Sequence, residues 1–298
     1  MNIKWVIDGI EYIYNTQVKE NANIRLSFNE LSQKTFGLSF EKWYQDGYWQ
    51  DAYIPHVLIH KDKVVANISV NIIDLEIQEQ PKRYIQIGTV MTDCEYRNKG
   101  LSRKLMEKIL HDWKDKCDAI YLYANDSVLD FYPKFGFKKE TEYQCSKKIV
   151  PTIGNRRKLD MTDDCDKKLL KNYYEKSNPF SMLPMLNNYG LLMFYCSSFM
   201  NECIYYLEDI DAIVIANFDD KTMTCFDIFC DEDKSMEEII AASAKENCKN
   251  IILGFTPKDM SGYIVKSIDE DDSTLFILES KENIFAKLKM MFPLLSHA

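Results

Sequence analysis

The chain has 298 residues, 46% of them hydrophobic and 28% charged, enough for two globular domains that each bury a core. No apolar run approaches the roughly 18 residues of a membrane span. Residues 1–9 meet charge too early for a signal peptide, so a soluble cytoplasmic protein without membrane partners is expected. The net charge of −9 argues against general nucleic-acid binding, which needs a basic footprint, and weakly favours cationic substrates.

Nine cysteines and four histidines are scattered without a metal-ligand spacing, so no metal and no disulfide framework is expected. In chain order, apolar positions from Leu26 to Tyr44 are interrupted at Gly37, which predicts two short helices. Tyr53–Ile59 and Val64–Val70 flank a polar tetrapeptide and predict a hairpin, with Tyr84–Met91 as the next strand. Leu101, Leu105, Met106, Ile109, Leu110 and Trp113 form one helical stripe. A buried strand at 119–123, a compact helix at 127–135 closed by Gly136 and a last strand at 137–146 follow. The expected fold is α/β (α+β), a mixed sheet flanked by helices.

The polar segment 150–158 suggests a boundary, giving domains 1–149 and 150–298. Strands are expected at 191–196, 203–207, 212–217, 223–230 and 250–255. A helix over 235–248 opens on a Ser235…Glu238 capping box. The strand–helix–strand order repeats that of the first half, which suggests a degenerate duplication.

The stretch most informative about chemistry is Thr89 to Ser102, a strand running through a glycine turn into an amphipathic helix. Amides at such a helix start lack intrahelical partners and, with the helix dipole, form an anion site. Gly100 lets the backbone approach a phosphate, and Arg97 and Lys99 add positive charge beside it. A solvated strand–helix connection is the plainer reading.

The run Arg97-Asn98-Lys99-Gly100-Leu101-Ser102 resembles the R-x-x-G-x-[GSA] pyrophosphate signature of the Gcn5-related N-acetyltransferases (GNAT). Downstream, Asn125 to Phe137, with Tyr132 and Gly136-Phe137, is similar to that family's second signature. The resemblance covers about residues 50–146. It implies acetyl-CoA as co-substrate and acetyl transfer to a primary amine, small or peptidic, in a ternary complex. It further implies that the main chain of Val90 and Thr92 pairs with pantetheine and that Arg97, Asn98, Lys99, Gly100, Leu101 and Ser102 hold the pyrophosphate. Asn125 and Ser127 would face the pantetheine or thiol end, and Tyr132 would be the catalytic acid at the sulfur. For Tyr132 a core aromatic is the alternative. Thr92 and Asp93-Cys94 depart from the family's usual residues, a change that main-chain pairing tolerates. His56, Asp93 and Glu95 are weighed as bases, and none stands out.

In the second half the matching turn, Cys230 to Ser235, carries Asp231, Glu232 and Asp233 and would repel a phosphate. That half is expected to wall the acceptor cleft or support a dimer. A catalytic half joined to a silent one resembles the first two domains of the enhanced-intracellular-survival (Eis-like) branch. The third domain of that branch, whose C-terminal carboxylate serves catalysis, has no counterpart in these 298 residues. Competing readings are an acyl-CoA sensor without turnover and a tandem aminoacyl or long-chain acyl transferase.

Overall fold

In a computed structural model describing residues 2–152, 154–269 and 271–297, the chain opens with a hairpin that the hydrophobic patterns above do not include. β1 (Ile3–Ile7) and β2 (Ile10–Asn15) join through Asp8-Gly9, both with positive φ, 49° and 76°. An Asp-Gly pair between alternating runs is a hairpin signal, because such turns match the twist of the strands they connect. The two short helices follow as α1 (Ala22–Phe36) and α2 (Glu41–Gln45). Asn21 caps α1, accepting from the amides of Asn23 and Ile24, and Gly37 ends it in the left-handed region.

β3 (Tyr53–His60), β4 (Lys63–Ile77) and β5 (Gln80–Thr92) form an antiparallel meander. α3 (Leu101–Trp113) then crosses to β6 (Ala119–Ala124), which pairs with β5 in parallel. The α3 stripe packs Leu101, Leu105, Met106 and Ile109 onto Ile68, Val70, Ile85, Ile87, Ile120 and Leu122. Each such buried aliphatic contributes about 1.5–3 kcal/mol, so this layer fixes α3 on one face of the sheet.

Two expectations fail between residues 127 and 146. The compact helix is two 3₁₀ turns, Asp126–Val128 and Tyr132–Phe135, because Pro133 lacks the amide and the room that a continuous α-helix needs. The last strand is two strands, β7 (Phe137–Lys139) and β8 (Tyr143–Lys148), and they lie in different sheets.

β9 (Arg156–Lys158), α4 (Asp164–Tyr174) and β10 (Met185–Leu186) follow, with β10 pairing the far end of β4. The strand expected at 191–196 is helical: α5 (Tyr189–Phe194), capped by Asn188, runs into a π-helical turn, Tyr195–Phe199. A short apolar run fits a buried helix as well as a strand, and here packing decided. β11 (Ile204–Leu207), β12 (Ala212–Asp219) and β13 (Thr222–Phe229) form a second meander. α6 (Met236–Ser243) is shorter than the expected 235–248, with Ser235 as its cap, and leads to β14 (Asn250–Leu253), parallel to β13. β15 (Ile264–Ser267) and β16 (Thr274–Leu278) complete the strands.

The first sheet runs β1-β2-β3-β4-β5-β6-β16-β7 and the second β15-β8-β14-β13-β12-β11-β9. The sheets therefore exchange strands between the halves: β16 enters the first between β6 and β7, with β10 beside β4, and β8 enters the second between β14 and β15. The sheets do not part at residue 149 or 150, where the sequence suggests a boundary. In both halves a parallel strand pair is bridged by one helix (α3, α6), the mixed α/β architecture expected, and the second half repeats the first.

Candidate active site

The site begins with a defect in β5. Asn67 pairs with Met91 and Ser69 with Gly88, so Thr89 and Val90 together face Ile68 and form a β-bulge. Thr89 sits at φ 49°, an uncommon conformation for a β-branched residue. Side chains of the neighbouring strands brace it. Asn67 Nδ2 donates to Thr89 C=O (2.8 Å) and to Ser69 Oγ (3.0 Å). The Tyr53 hydroxyl lies 3.0 Å from Thr89 Oγ1 and accepts from Ser69 Oγ–H (3.0 Å). Sequence reading missed Thr89 and these braces. The available signal was Gly88, a glycine inside a strand pattern.

The bulge parts two strands. β5 and β6 pair from Tyr84 with Ala119 to Ile87 with Leu122, and no further. Beyond Ile87 the main chain of 88–92 has β4 on one side and a gap on the other. Val90 lies within the bulge and Thr92 pairs with Ala66 on the closed side, which leaves both at the edge of the gap.

At the head of the gap stands the start of α3. Gly100 caps it at φ 73°, where a side chain is strained, and a Cβ there would meet nothing within 4 Å. The first helical bond is Lys104 N–H to Gly100 C=O, which leaves the amides of Leu101, Ser102 and Arg103 without i−4 partners. Asn98 is also left-handed, at φ 62°. Arg97 Nε reaches Thr92 C=O at 3.4 Å, and Thr92 Oγ1 lies 2.7 Å from Ser102 Oγ, tying the strand end to the helix start. Lys99 bends back, donating to Glu95 C=O and covering the Tyr96 ring. The residues singled out from 90 to 102 thus share one corner of the fold.

On the β6 side, Asn125 leads into the first 3₁₀ turn and its Oδ1 accepts from Ser127 Oγ–H at 2.6 Å. Tyr132, 4% exposed, packs its ring against Phe131, Phe137 and Phe276, in the cluster that also holds Val90. Burial pushes its pKa up to about 12. Its hydroxyl makes no hydrogen bond within the described residues, so it is a neutral donor with its hydrogen uncommitted.

Two of the three bases weighed from sequence, His56 and Asp93, are engaged elsewhere. His56 lies on the α3 face, where its Nδ1 meets the Tyr14 hydroxyl at 2.7 Å and burial lowers its pKa to about 4. Asp93 accepts from Glu95 N–H and faces Lys34, while Glu95 is exposed. No group of three or more His, Cys, Asp and Glu is placed to hold a metal among the described residues, and none of their helices is long and apolar enough to cross a membrane.

The face away from α3 carries a row of polar residues on the central strands: Tyr53, Asn67, Ser69, Asn71 and Gln86. Asn67 Oδ1 and Gln86 Oε1 are buried without a partner. The amide of Asn67 is oriented by the carbonyl it serves, which leaves its oxygen unpaired among the described residues. The second half helps to cover this face. Trp43 Nε1 donates to Gly190 C=O at 2.7 Å and Phe194 stacks on Phe40. Beside it a cleft of about 650 Å³ is lined by Tyr48, Gln50, Lys167, Lys168, Lys171 and Tyr189, among others, away from the parted strands.

Comparison with known proteins agrees with this geometry. Residues 20–139 match the family model described as acetyltransferase (GNAT) domain. No curated protein matches the chain. Among solved structures, a conserved Enterococcus faecalis V583 protein of unknown function, a probable N-acyltransferase, superposes with TM-score 0.60 at 14% identity. It covers 94% of this chain and 73% of its own. A GCN5-related N-acetyltransferase from Kribbella flavida gives 0.55 at 16% identity, covering 89% and 71%. Eis1 from Mycobacterium abscessus gives 0.54 at 12%, covering 90% and 73%. At such identities the likeness is one of fold, and it extends over both sheets. Residues 20–139 thus match an acetyltransferase (GNAT) domain, and the mixed α/β fold around them is GNAT-like.

Proposed function

We propose that the protein transfers the acetyl group of acetyl-CoA to a primary amine within a ternary complex. The observation that carries this is the union of a parted parallel strand pair with a glycine-capped helix start whose amides have no partners among the described residues. A gap between strands, edged by free main-chain groups, suits an extended amide-bearing arm such as pantetheine. The edge of Val90 and Thr92 supplies its partners, and the amides from Arg97 to Ser102 meet the diphosphate at the positive end of α3. Asn125 and Ser127 border the thiol end from the other strand.

Chemistry then needs three things: an unprotonated amine, orientation, and relief of charge on the leaving sulfur. Orientation comes from holding thioester and amine on one rigid sheet. Tyr132 supplies the third, donating its uncommitted hydrogen to the thiolate as the C–S bond breaks. With a pKa of about 12 it stays neutral throughout the working range and begins as a hydrogen-bond donor. The unpartnered oxygens of Asn67 and Gln86 face the acceptor side and suit the N–H groups of an amine or of waters around it. The second half walls this side through α5 and does not itself bind CoA.

The test is calorimetry with acetyl-CoA followed by thiol release across a panel of amines. One acetyl-CoA per chain and release above background with at least one amine are expected. Absence of CoA uptake sinks the reading, and uptake without release on any amine turns the protein into an acyl-CoA sensor.

A further inference from the structure

The cleft of about 650 Å³ beside α5 is walled by both halves of the chain, and the transfer proposed above makes no use of it. Its walls are pinned to one another. On one side the turn after α2 carries Tyr48 and Gln50; on the other stand α4 and the turn from β10 into α5. Tyr189 O–H donates to Lys167 C=O at 3.1 Å, and Asn188 N–H donates to the Tyr174 hydroxyl at 2.8 Å, which ties α4 to that turn. The Tyr48 ring meets the Tyr189 ring edge to face, centroids 6.1 Å apart. Gly190 lets α5 lie against the Tyr48 carbonyl, where a Cβ would collide with the oxygen. A cleft held in this way is preformed, and its volume lies within the range of roughly 300–1,000 Å³ usual for small-molecule sites.

The lining has two kinds of surface. Tyr48, Tyr174, Tyr189 and Met185 supply aromatic and apolar area, with Tyr174 and Met185 buried. α4 supplies charge, because positions 167, 168, 171, 174 and 175 fall within about 120° of the helix circumference. Lys167 is answered by Asp164 at 2.8 Å. Lys168 and Lys171 are exposed and make no ion pair among the described residues. Against these three lysines the described lining sets one acid, Glu175. A positive rim on a chain of net charge −9 is a local exception. Beside low-dielectric walls it attracts anions and repels an ammonium group, so the cleft is unsuited to the amine acceptor.

We propose that this cleft binds a small aromatic anion, a ring bearing a carboxylate or a phosphate. The ring packs among Tyr48, Tyr174 and Tyr189, and the anionic group meets Lys168 and Lys171. A lysine ammonium is a point charge on a flexible stem, so it serves either anion. The site is separate from the gap between β5 and β6, and it stands whether or not the chain acetylates an amine. Because its walls come from both halves, an occupant stabilises their junction.

The experiment is calorimetry and thermal melting of the full chain with naphthalene-1-acetate, 1-naphthyl phosphate and the neutral naphthalene-1-acetamide. At least one of the two anions should bind once per chain, about tenfold or more tighter than the amide, and raise the melting temperature. Whichever binds tighter tells carboxylate from phosphate. Lys168→Gln combined with Lys171→Gln should weaken that anion about tenfold and leave melting and acetyl-CoA affinity as in wild type, since both side chains are exposed. Saturating acetyl-CoA should leave the anion's affinity unchanged. The proposal is overturned if neither anion binds up to about 10 mM, if the amide binds as tightly, or if the lysine variant keeps wild-type affinity. Displacement of the anion by acetyl-CoA overturns it as well, by placing the probe in the coenzyme groove. None of these results bears on thiol release, so the transferase reading is judged by its own assay.

Discussion

Where β5 and β6 part, the first sheet keeps an open gap, and where β13 and β14 part, the second sheet has filled it. The local architecture is otherwise shared. In the second sheet Ile215 pairs with Asp227 and Ala216 with Cys225, so Phe226 forms a bulge at the position equivalent to Thr89. Pairing with β14 ends at Cys225 and Leu253. Into that opening the chain lays its own segment 291–296. Leu294 N–H donates to Gly254 C=O at 2.8 Å, Met291 N–H to Thr256 Oγ1 at 2.9 Å, and Leu295 is buried against Phe229. At the helix start the contrast repeats. α3 has a left-handed glycine with open space above it, whereas α6 has Ser235, whose Oγ accepts from Glu238 N–H, behind Asp231, Glu232 and Asp233. A bulge and a parted pair are thus not sufficient for a ligand site. The groove must be left empty and its amides unanswered.

The sharpest way to break the contrast is Gly100→Asp, which gives the first half the charge of the second. Loss of acetyl-CoA affinity by at least about 1000-fold is expected, from repulsion and a blocked approach. Since no atom lies within 4 Å of the added Cβ, melting should register only the left-handed strain of about 1–2 kcal/mol. Retained affinity in calorimetry would remove the anion site from the argument.

Next in size is a pH effect at the second bulge. Asp227 is buried, accepts from Asn178 Nδ2 at 2.6 Å and Ile228 N–H at 3.0 Å, and desolvation raises its pKa to about 7. Because the native value stands above the unfolded one, the folded chain holds a proton that unfolding releases. Its stabilising contribution is complete below about pH 4 and disappears as pH rises through about 7. Wild type should lose a few kcal/mol across that window, read as a falling melting temperature, and Asp227→Asn should remove the slope. A flat wild-type profile contradicts the assignment.

Tyr132→Phe should lower kcat by roughly ten- to a hundredfold while CoA affinity and melting stay unchanged, since the hydroxyl makes no bond within the described residues. Equal turnover would make Tyr132 a packing residue only. Smallest is Ser235→Ala, expected to cost about 1 kcal/mol through the lost cap, with no change in acetyl-CoA binding.

Much of this was legible along the chain wherever the cause is local. The α3 stripe, the two early helices, the hairpin around Lys61-Asp62 and the glycine turn at 97–102 follow from periodicity and turn chemistry within a dozen residues. The bulge at Thr89 was only hinted at by Gly88, because its braces come from β3 and β4. His297 stood out only as one of four scattered histidines, since its partner Tyr123 lies 174 residues away in the chain.

By itself the sequence determined that residues 89–102 form a strand, a turn and a helix whose first amides have no partner of their own. The tertiary structure alone decided which strands share a sheet, that β8 and β16 change places between the halves, and that segment 291–296 closes one gap and leaves the other open. An apolar run such as Thr274 to Leu278 specifies a buried strand, yet its pattern is equally satisfied by either sheet. Only the competition among whole surfaces for burial and for backbone partners selects one.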